Sequence, residues 1–210
     1  MSRTVKPHAG KQQPSSGRGR PGYSREEVIA AAIDEFLSRG YEATSMGGLA
    51  TRLGISKSAI YHHVSSKEQL LEEATTVALD ALSDIVVNAQ QMEGGIDEKL
   101  RFLIDGAVEV VGQRQAEIAL LLRLRGNSEV EQRALKRRRE ITVAMVDLVA
   151  QGQQAGVLRD DITPGVAARL IFGTVNSMVD WYRPDGVSSL TQVGEMLQKF
   201  VWTGLSGTAN

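Results

Sequence analysis

The residues best suited to chemistry in this chain lie between Ser56 and His62, where small hydroxyl side chains stand beside Lys57 and Tyr61. Serine, lysine, tyrosine and histidine side chains donate hydrogen bonds to phosphate oxygens and to the edges of bases. The small side chain of Ala59 lets the backbone approach a groove, and its methyl group fits against a thymine methyl. This composition is typical of a surface that contacts the major groove of DNA, although a solvated helical hairpin has similar features.

The sequence gives little support to metal binding or catalysis. It has no cysteine, which excludes disulfides, thiolate metal sites and a cysteine nucleophile. Neither an HExxH motif nor a phosphate-binding P-loop is present. Adjacent helical residues such as His62 and His63 point about 100° apart, and the remaining histidine, His8, lies far away. We predict no metal and no enzyme; an all-α enzyme is the alternative from another class.

Charge is divided unevenly along the 210 residues. Residues 1–67 carry ten Lys/Arg and five Asp/Glu, whereas residues 68–210 carry fourteen and twenty. A basic N-terminal part joined to an acidic remainder is expected where only one end meets a polyanion. The N-terminal residues lack the apolar core of a signal peptide, and no later stretch is apolar enough to span a bilayer. We therefore expect a cytoplasmic protein with no membrane partner.

Residues 1–22 are rich in Gly, Pro, Ser, Lys and Arg, which predicts a disordered basic arm. Within it, Arg18-Gly19-Arg20-Pro21 resembles an AT-hook, a short element that lies in a narrow minor groove. We favour Arg18 and Arg20 as DNA contacts; the alternative is a basic tail without a specific role.

Three short helices are predicted after the arm, in a domain over residues 23–67. Ser24 with Glu27 forms a capping box for the first helix, which ends at Gly40. Thr44 or Ser45 begins the second helix, Gly54 ends it, and Ser56 begins the third. A tight turn at Gly54 between two short helices predicts a helix-turn-helix.

The remainder, residues 68–210, is predicted to be one larger helical domain. Apolar residues recur at helical spacing, and we find no convincing period-two run or hairpin signal. The predicted helices cover about residues 67–90, 96–112, 114–125, 128–155, 163–182 and 188–204. The fold class is therefore all-α, with about nine helices in total.

The N-terminal region resembles the DNA-binding part of the TetR family of transcriptional regulators. The resemblance covers residues 24–71 densely, with one departure at Met46-Gly47-Gly48, where the family has better helix formers. The residues that carry it are Phe36–Thr44, Leu49-Ala50, Leu53–Ser56, Ala59–Tyr61, Val64 and Lys67–Leu71.

This resemblance implies a set of DNA-facing residues. Tyr61 and Lys67 are expected to contact phosphates, and Lys57 or His62 is expected to read bases. The whole set consists of Thr44, Ser56, Lys57, Ser58, Tyr61, His62, His63 and Lys67.

The resemblance also implies a C-terminal cavity for a small hydrophobic ligand, which acts as an effector and not as a cofactor. For any one of the candidates for its wall, ordinary core packing is the favoured interpretation. The candidates are Phe102, Leu103, Gly106, Val110, Leu121, Leu122, Met145 and Phe172.

The segment Asn176–Gly186 resembles one found in TetR-type regulators that sense acyl-CoA thioesters. Asn176, Trp181 and Arg183, with the basic cluster Arg133–Arg139, are candidates for holding such a thioester. The alternative is that Trp181 and Tyr182 pack a dimer interface, that residues 183–186 form a turn, and that the basic cluster is a solvated face paired with nearby glutamates.

The last two long helices have apolar stripes wider than one core face needs, which suggests a four-helix dimer interface. We therefore predict a homodimeric repressor that binds a pseudo-palindromic operator in double-stranded DNA and is released by a small hydrophobic effector. Our preferred effector is an acyl-CoA thioester from fatty-acid, steroid or phenylacetate breakdown. The alternative effector is a cationic or aromatic drug, as for a repressor of an efflux pump.

Overall fold

The computed structural model describes residues 23–206, in which every regular element is helical. The N-terminal domain, here called the head, contains three helices and is followed by seven more. The helices are α1 (Arg25–Arg39), α2 (Met46–Leu53), α3 (Lys57–Tyr61), α4 (Lys67–Gln91), α5 (Ile96–Gln113), α6 (Gln115–Arg123), α7 (Glu129–Gln154), α8 (Pro164–Asn176), α9 (Met178–Trp181) and α10 (Leu190–Leu205). The predicted all-α fold is confirmed, and the Arg18 and Arg20 predictions lie outside the described residues.

Serine caps determine where the helices of the head begin. The Ser24 hydroxyl accepts the Glu27 N–H at 3.2 Å, and the Glu27 carboxylate accepts the Ser24 N–H at 2.7 Å, so the predicted capping box forms. Ser45 caps α2 by accepting the Gly48 N–H, and Ser56 caps α3 by accepting the Ala59 N–H. Gly54 follows α2 with φ 66° and ψ 30°, in the left-handed region that favours glycine.

Helix α4 connects the head to the C-terminal domain and packs against α1, α5, α6 and α7. Its close approach to α5 depends on Gly106, because a Cβ at that position would lie 2.7 Å from Ile85 Cγ2. The core on both sides of α4 is apolar and includes fully buried Leu71, Leu79 and Leu103. A continuous helix in this position can transmit a change of tilt between the two domains.

The predicted helix over residues 163–182 is interrupted at Ser177. The Ser177 hydroxyl donates to the Thr174 carbonyl at 2.8 Å, and such side-chain bonds compete with helical backbone bonds. The Gln115 amide donates to the carbonyls of Met178, Val179 and Tyr182 at 3.0–3.1 Å. A side chain from α6 therefore satisfies the end of α9, which periodicity alone does not reveal.

The connection between α6 and α7 is held by the buried carboxylate of Glu131. One of its oxygens accepts the backbone N–H groups of Arg125, Gly126 and Asn127 at 3.0, 2.6 and 3.1 Å. Three donors compensate the loss of hydration that burial imposes on a carboxylate.

Within residues 23–206, no helix combines the length and apolar character needed to cross a membrane.

Candidate DNA-contacting face and ligand cavity

Helices α2 and α3 form a helix-turn-helix packed on α1. The Ile55 N–H donates to the Ala50 carbonyl at 3.1 Å across the turn. Leu49, Ala50 and Ile60 are buried against the face of α1 that carries Phe36. With its apolar residues turned inward, α3 presents its polar side chains to the outside.

Most of the predicted DNA-facing residues lie on that outer face. Lys57, Ser58 and His62 are exposed, and Tyr61 is 46% exposed despite its large ring. Ser56 is exposed as well, but its hydroxyl is engaged with the Ala59 N–H at 3.1 Å and with Ser58 Oγ at 2.9 Å. His63 is half-buried at the end of the helix.

Two predicted DNA contacts have structural partners instead. Thr44 is buried, and its hydroxyl donates to the Gly40 carbonyl at 2.9 Å, so it closes the turn after α1 and we omit it from the proposed contacts. Lys67 Nζ donates to the Tyr41 carbonyl at 3.0 Å and lies 4.2 Å from the centre of the Tyr41 ring. Its ammonium group therefore supports the connection between α1 and α2 and retains a donor for a phosphate.

An ion pair between the buried carboxylate of Glu35 and the exposed side chain of Arg52 was not predicted from the sequence. The Glu35 carboxylate accepts a hydrogen bond from Arg52 Nη1 at 2.6 Å and forms a salt bridge with Arg39 Nε at 2.9 Å. The hydrogen bond that Arg52 donates to Glu35 raises the pKa of the Arg52 guanidinium above its usual value. Because Glu35 lies in α1 and Arg52 lies in α2, this ion pair holds α2 against α1. Glu35 lies on the buried face of α1, which is the one signal that singles it out.

A cavity of about 340 Å³ lies between α4 and the helices of the C-terminal domain, near the lower end of the range for ligand sites of about 300–1,000 Å³. Its wall is mostly apolar and has no acidic residue. The lining residues are Leu82 from α4; Ala107 and Val111 from α5; Ile118, Leu121 and Leu122 from α6; Arg138, Ile141 and Thr142 from α7; and Arg169, Phe172, Gly173, Val175 and Asn176 from α8.

Four predicted wall residues, Leu121, Leu122, Phe172 and Asn176, line this cavity. The others do not. Leu103, Val110 and Met145 are buried as ordinary core, Phe102 is 40% exposed on the outer side of α5, and Gly106 faces Ile85.

The two remaining candidates from the C-terminal segment also lie away from the cavity. Trp181 is 53% exposed, and its indole N–H donates to Ser177 Oγ at 3.1 Å. Arg183 donates to the Tyr182 carbonyl at 2.9 Å and so covers the end of α9. The Gly186 N–H donates to the Arg183 carbonyl, which forms the turn of the alternative interpretation.

The basic cluster of α7 is divided between two environments. Arg133 and Arg137 pair with Glu72 and Asp80 of α4 at 3.0 and 2.5 Å, and not with the neighbouring glutamates of α7. Glu131 is occupied by backbone amides, which explains why it is not an ion-pair partner. Arg138 instead turns toward the cavity and donates to the Leu121 carbonyl at 3.1 Å.

Apolar side chains remain exposed on the outer faces of α8 and α10. Val166 and Leu170 of α8 are 45% and 57% exposed, and Met196 and Phe200 of α10 are 54% and 71% exposed. Other residues of the same stripes, such as Ile171, are buried in the chain's own core. Each helix therefore has two apolar faces, as the width of the stripes predicted.

Comparisons with known families match both parts of the chain. Residues 28–74 match the family described as bacterial regulatory proteins of the tetR family. Residues 93–205, more than half of the chain, match the family described as the tetracyclin repressor-like C-terminal domain. The two matches correspond to the head with the beginning of α4, and to the helices that surround the cavity.

Similar individual proteins are regulators too. The HTH-type transcriptional repressor KstR2 of Mycolicibacterium smegmatis is 30% identical over 193 residues, covering 89% of this chain and 92% of that protein. Among solved structures, SCO3833, a TetR family member from Streptomyces coelicolor A3, has 39% identity and a TM-score of 0.80, covering 86% of this chain and 91% of that one. The ketosteroid transcriptional regulator KstR2 of Mycobacterium tuberculosis has 26% identity and a TM-score of 0.78, covering 90% and 98%. The chain therefore belongs to the TetR family of helix-turn-helix transcriptional regulators, and it is not an enzyme.

Proposed function

We propose that the chain is a ligand-responsive repressor that binds a pseudo-palindromic operator as a homodimer and is released by a small hydrophobic effector, best matched by an acyl-CoA thioester. The observation that carries this proposal is the position of the cavity. Leu82 of α4 forms part of its wall, and the same helix begins at Lys67, directly after the helix-turn-helix. A ligand whose affinity differs between two tilts of α4 would shift the position of the head.

The exposed face of α3 supports operator binding. Lys57 supplies a positive charge, and the exposed side chains of Tyr61 and His62 supply hydrogen-bonding groups on the same face. A helix-turn-helix reads base edges with its second helix, and two symmetry-related copies read half-sites about one helical turn apart.

The exposed apolar residues of α8 and α10 support the homodimer. Phe200 and Leu170 are two of the most exposed large apolar side chains of the described residues, and they lie on neighbouring helices. Contiguous exposed apolar surface of this kind marks an interaction site. A two-fold axis through this surface would pair α8 and α10 with their copies and form a four-helix bundle.

The cavity favours an apolar anion over a cationic drug. Leucine, isoleucine and valine make up half of its lining residues, whereas Arg138 and Arg169 are its charged residues. Two arginines and no acidic residue repel a cation. Phe172 is the single aromatic residue of the lining, so the cavity offers little aromatic surface for stacking against a flat drug. A volume of about 340 Å³ suits the acyl part of a thioester, with the nucleotide part outside.

The test is a titration of a labelled DNA fragment from upstream of the chain's own gene, followed by fluorescence anisotropy. The protein is added first, and then a panel of fatty acyl-CoA, steroid acyl-CoA and phenylacetyl-CoA. We expect tight binding that one thioester class releases. An unrelated fragment of the same length provides the control for non-specific binding.

The other outcomes separate the parts of the proposal. Equal affinity for both fragments would contradict the operator function. Specific binding that no thioester disturbs would retain the operator function and reject the acyl-CoA effector.

A further inference from the structure

Arg138 is charged, half-buried and without an acidic partner among residues 23–206. Its neighbours in α7, Arg133 and Arg137, each form a salt bridge with a carboxylate of α4, whereas Arg138 does not. Arg138 makes one hydrogen bond, to the neutral Leu121 carbonyl. Burial lowers the pKa of its guanidinium below the usual value, which reflects the cost of keeping this charge away from water.

The surroundings of Arg138 make an external partner the natural explanation. A guanidinium carries five N–H donors in a planar fork, and the bond to Leu121 uses one of them. The cavity wall has apolar side chains such as Ile118 and Ile141, and its other polar residues are Thr142, Arg169 and Asn176. The Thr142 hydroxyl is already engaged with the Arg138 backbone carbonyl at 3.0 Å.

We propose that Arg138 binds the anionic group of the effector, whose apolar body fills the cavity lined by Leu82, Val111, Leu121 and Phe172. This proposal rests on the proposed function and specifies the ligand class: an oxyanion joined to a compact apolar body. A carboxylate of a free acid and a phosphate of a CoA thioester share this chemistry, because both accept two parallel N–H bonds from a guanidinium. Arg169, exposed in α8, adds positive charge at the same cavity.

The test compares octanoate, octanoyl-CoA and neutral octanamide as ligands in isothermal titration calorimetry. In Arg138→Gln, we expect the affinity for the anion that binds the wild type to fall by tenfold or more, as for loss of a charged hydrogen bond worth about 1.5–3 kcal/mol. Octanamide should bind the two proteins equally. Octanoate and octanoyl-CoA separate a carboxylate from a phosphate as the recognised group.

Arg139→Gln is the matched control, because Arg139 is the next residue of α7, is exposed, and does not line the cavity. It removes the same charge from the same helix and should leave each affinity within about twofold, since exposed charges contribute little. Arg138→Lys retains the positive charge without the fork, so we expect an intermediate affinity.

Two results would overturn the proposal: equal anion affinity in the wild type and in Arg138→Gln, or no preference of the wild type for either anion over octanamide. The second comparison needs no variant, so it holds even if Arg138→Gln does not fold. Operator binding without ligand, measured on the same preparations, distinguishes these results from failure of the proposed function. A repressor that binds its operator and ignores both anions retains that function and loses the Arg138 site.

Discussion

Arg123 Nη1 lies 2.6 Å from the backbone carbonyl oxygen of Leu37, so α6 donates a hydrogen bond to the last turn of α1. The same helix contributes Ile118, Leu121 and Leu122 to the cavity. A ligand that shifts α6 can therefore act on the head directly, in addition to its effect through α4. This contact gives a second physical connection between the cavity and the helix-turn-helix.

Arg123→Ala should weaken communication between effector and operator while both sites stay intact. If this contact carries about 1 kcal/mol of a coupling that is typically 1–3 kcal/mol, the ratio of operator Kd values with and without effector falls about fivefold. Anisotropy titrations with the most effective acyl-CoA measure this ratio. Arg125→Ala is the control, because its exposed side chain lies two residues later. An unchanged ratio in Arg123→Ala would exclude this hydrogen bond as a connection between effector and operator.

Lys57→Ala should reduce both operator affinity and base discrimination. If Lys57 reads a base edge, the preference for the correct base at one position of each half-site falls by about 1–3 kcal/mol. Titrations of single-substituted operators measure this preference. Lys136→Ala, an exposed lysine on α7, should change nothing. A uniform loss on all sequences, with a salt dependence reduced by about one phosphate contact, would make Lys57 a backbone contact instead.

Phe200→Glu should separate the proposed dimer. Phe200 is 71% exposed in the single chain, and placing a charge at the centre of an apolar interface costs several kcal/mol unless it is paired. Light scattering after size exclusion should show a monomer, with operator affinity at least tenfold weaker. Val143→Glu is the control, since Val143 is 52% exposed and lies on α7, outside the two helices of the proposed interface. A dimer that survives Phe200→Glu would place the interface elsewhere.

Two glycines should respond in opposite directions to alanine. Gly106→Ala brings a Cβ within 2.7 Å of Ile85, so we expect a loss of about 1–3 kcal/mol in the free energy of unfolding. Gly47 lies in α2, and a Cβ added there would have no neighbouring atom within 4 Å. Because alanine favours a helix more than glycine does, we expect Gly47→Ala to raise the free energy of unfolding by about 0.5–1 kcal/mol. Urea unfolding measures both. Similar effects of the two substitutions would contradict the close approach of α4 and α5.

Tyr41 should make the protein less stable at high pH. Its burial, with the carboxylates of Glu68 and Glu42 nearby, raises the pKa of its hydroxyl to about 12, above the usual value of about 10. The contribution of Tyr41 is therefore fully present below pH 10 and is lost as the pH rises toward 12, because the unfolded chain releases the proton first.

The measurement is urea unfolding at pH 9, 10 and 11. Tyr41→Phe should flatten the decline by up to about 1.4 kcal/mol per pH unit. The substitution also removes a buried hydroxyl that has no hydrogen-bond partner among the described residues. Tyr61→Phe, at an exposed tyrosine, should leave the decline unchanged. Parallel declines in the wild type and Tyr41→Phe would exclude Tyr41 as the cause.

Local signals in the sequence predicted the head well. Serine caps and the left-handed Gly54 act within a few residues, so the bounds of α1, α2 and α3 follow from short-range chemistry. Because Ile60 is buried, the geometry of a helix places the polar side chains of α3 on the opposite, exposed face. The exposure of these polar side chains was therefore predictable, except at Thr44, which is buried and donates a local hydrogen bond to the Gly40 carbonyl.

The cavity was less predictable because its wall combines five helices. Whether Leu121 or Met145 faces the empty space depends on how helices cross, and a stripe of apolar residues looks the same in both cases. The sequence also did not predict that Arg138 turns toward the cavity, since Arg137 and Arg139 are arginines too and lie in different surroundings. The end of α9 likewise depends on Gln115, more than sixty residues earlier in the chain.

The carboxylate of Glu131 binds main-chain amides and not side chains, and this determines which substitutions the α6–α7 connection tolerates. Positions 125 and 127 can drift to almost any residue that keeps its N–H, because the side chains there take no part. Position 126 tolerates fewer residue types, since its φ of 88° favours glycine. Position 131 tolerates the fewest residue types, because even glutamine would place an N–H₂ group or a neutral oxygen where three backbone N–H donors converge. Random mutagenesis of this connection should therefore yield functional variants at its ends and almost none at its anchor.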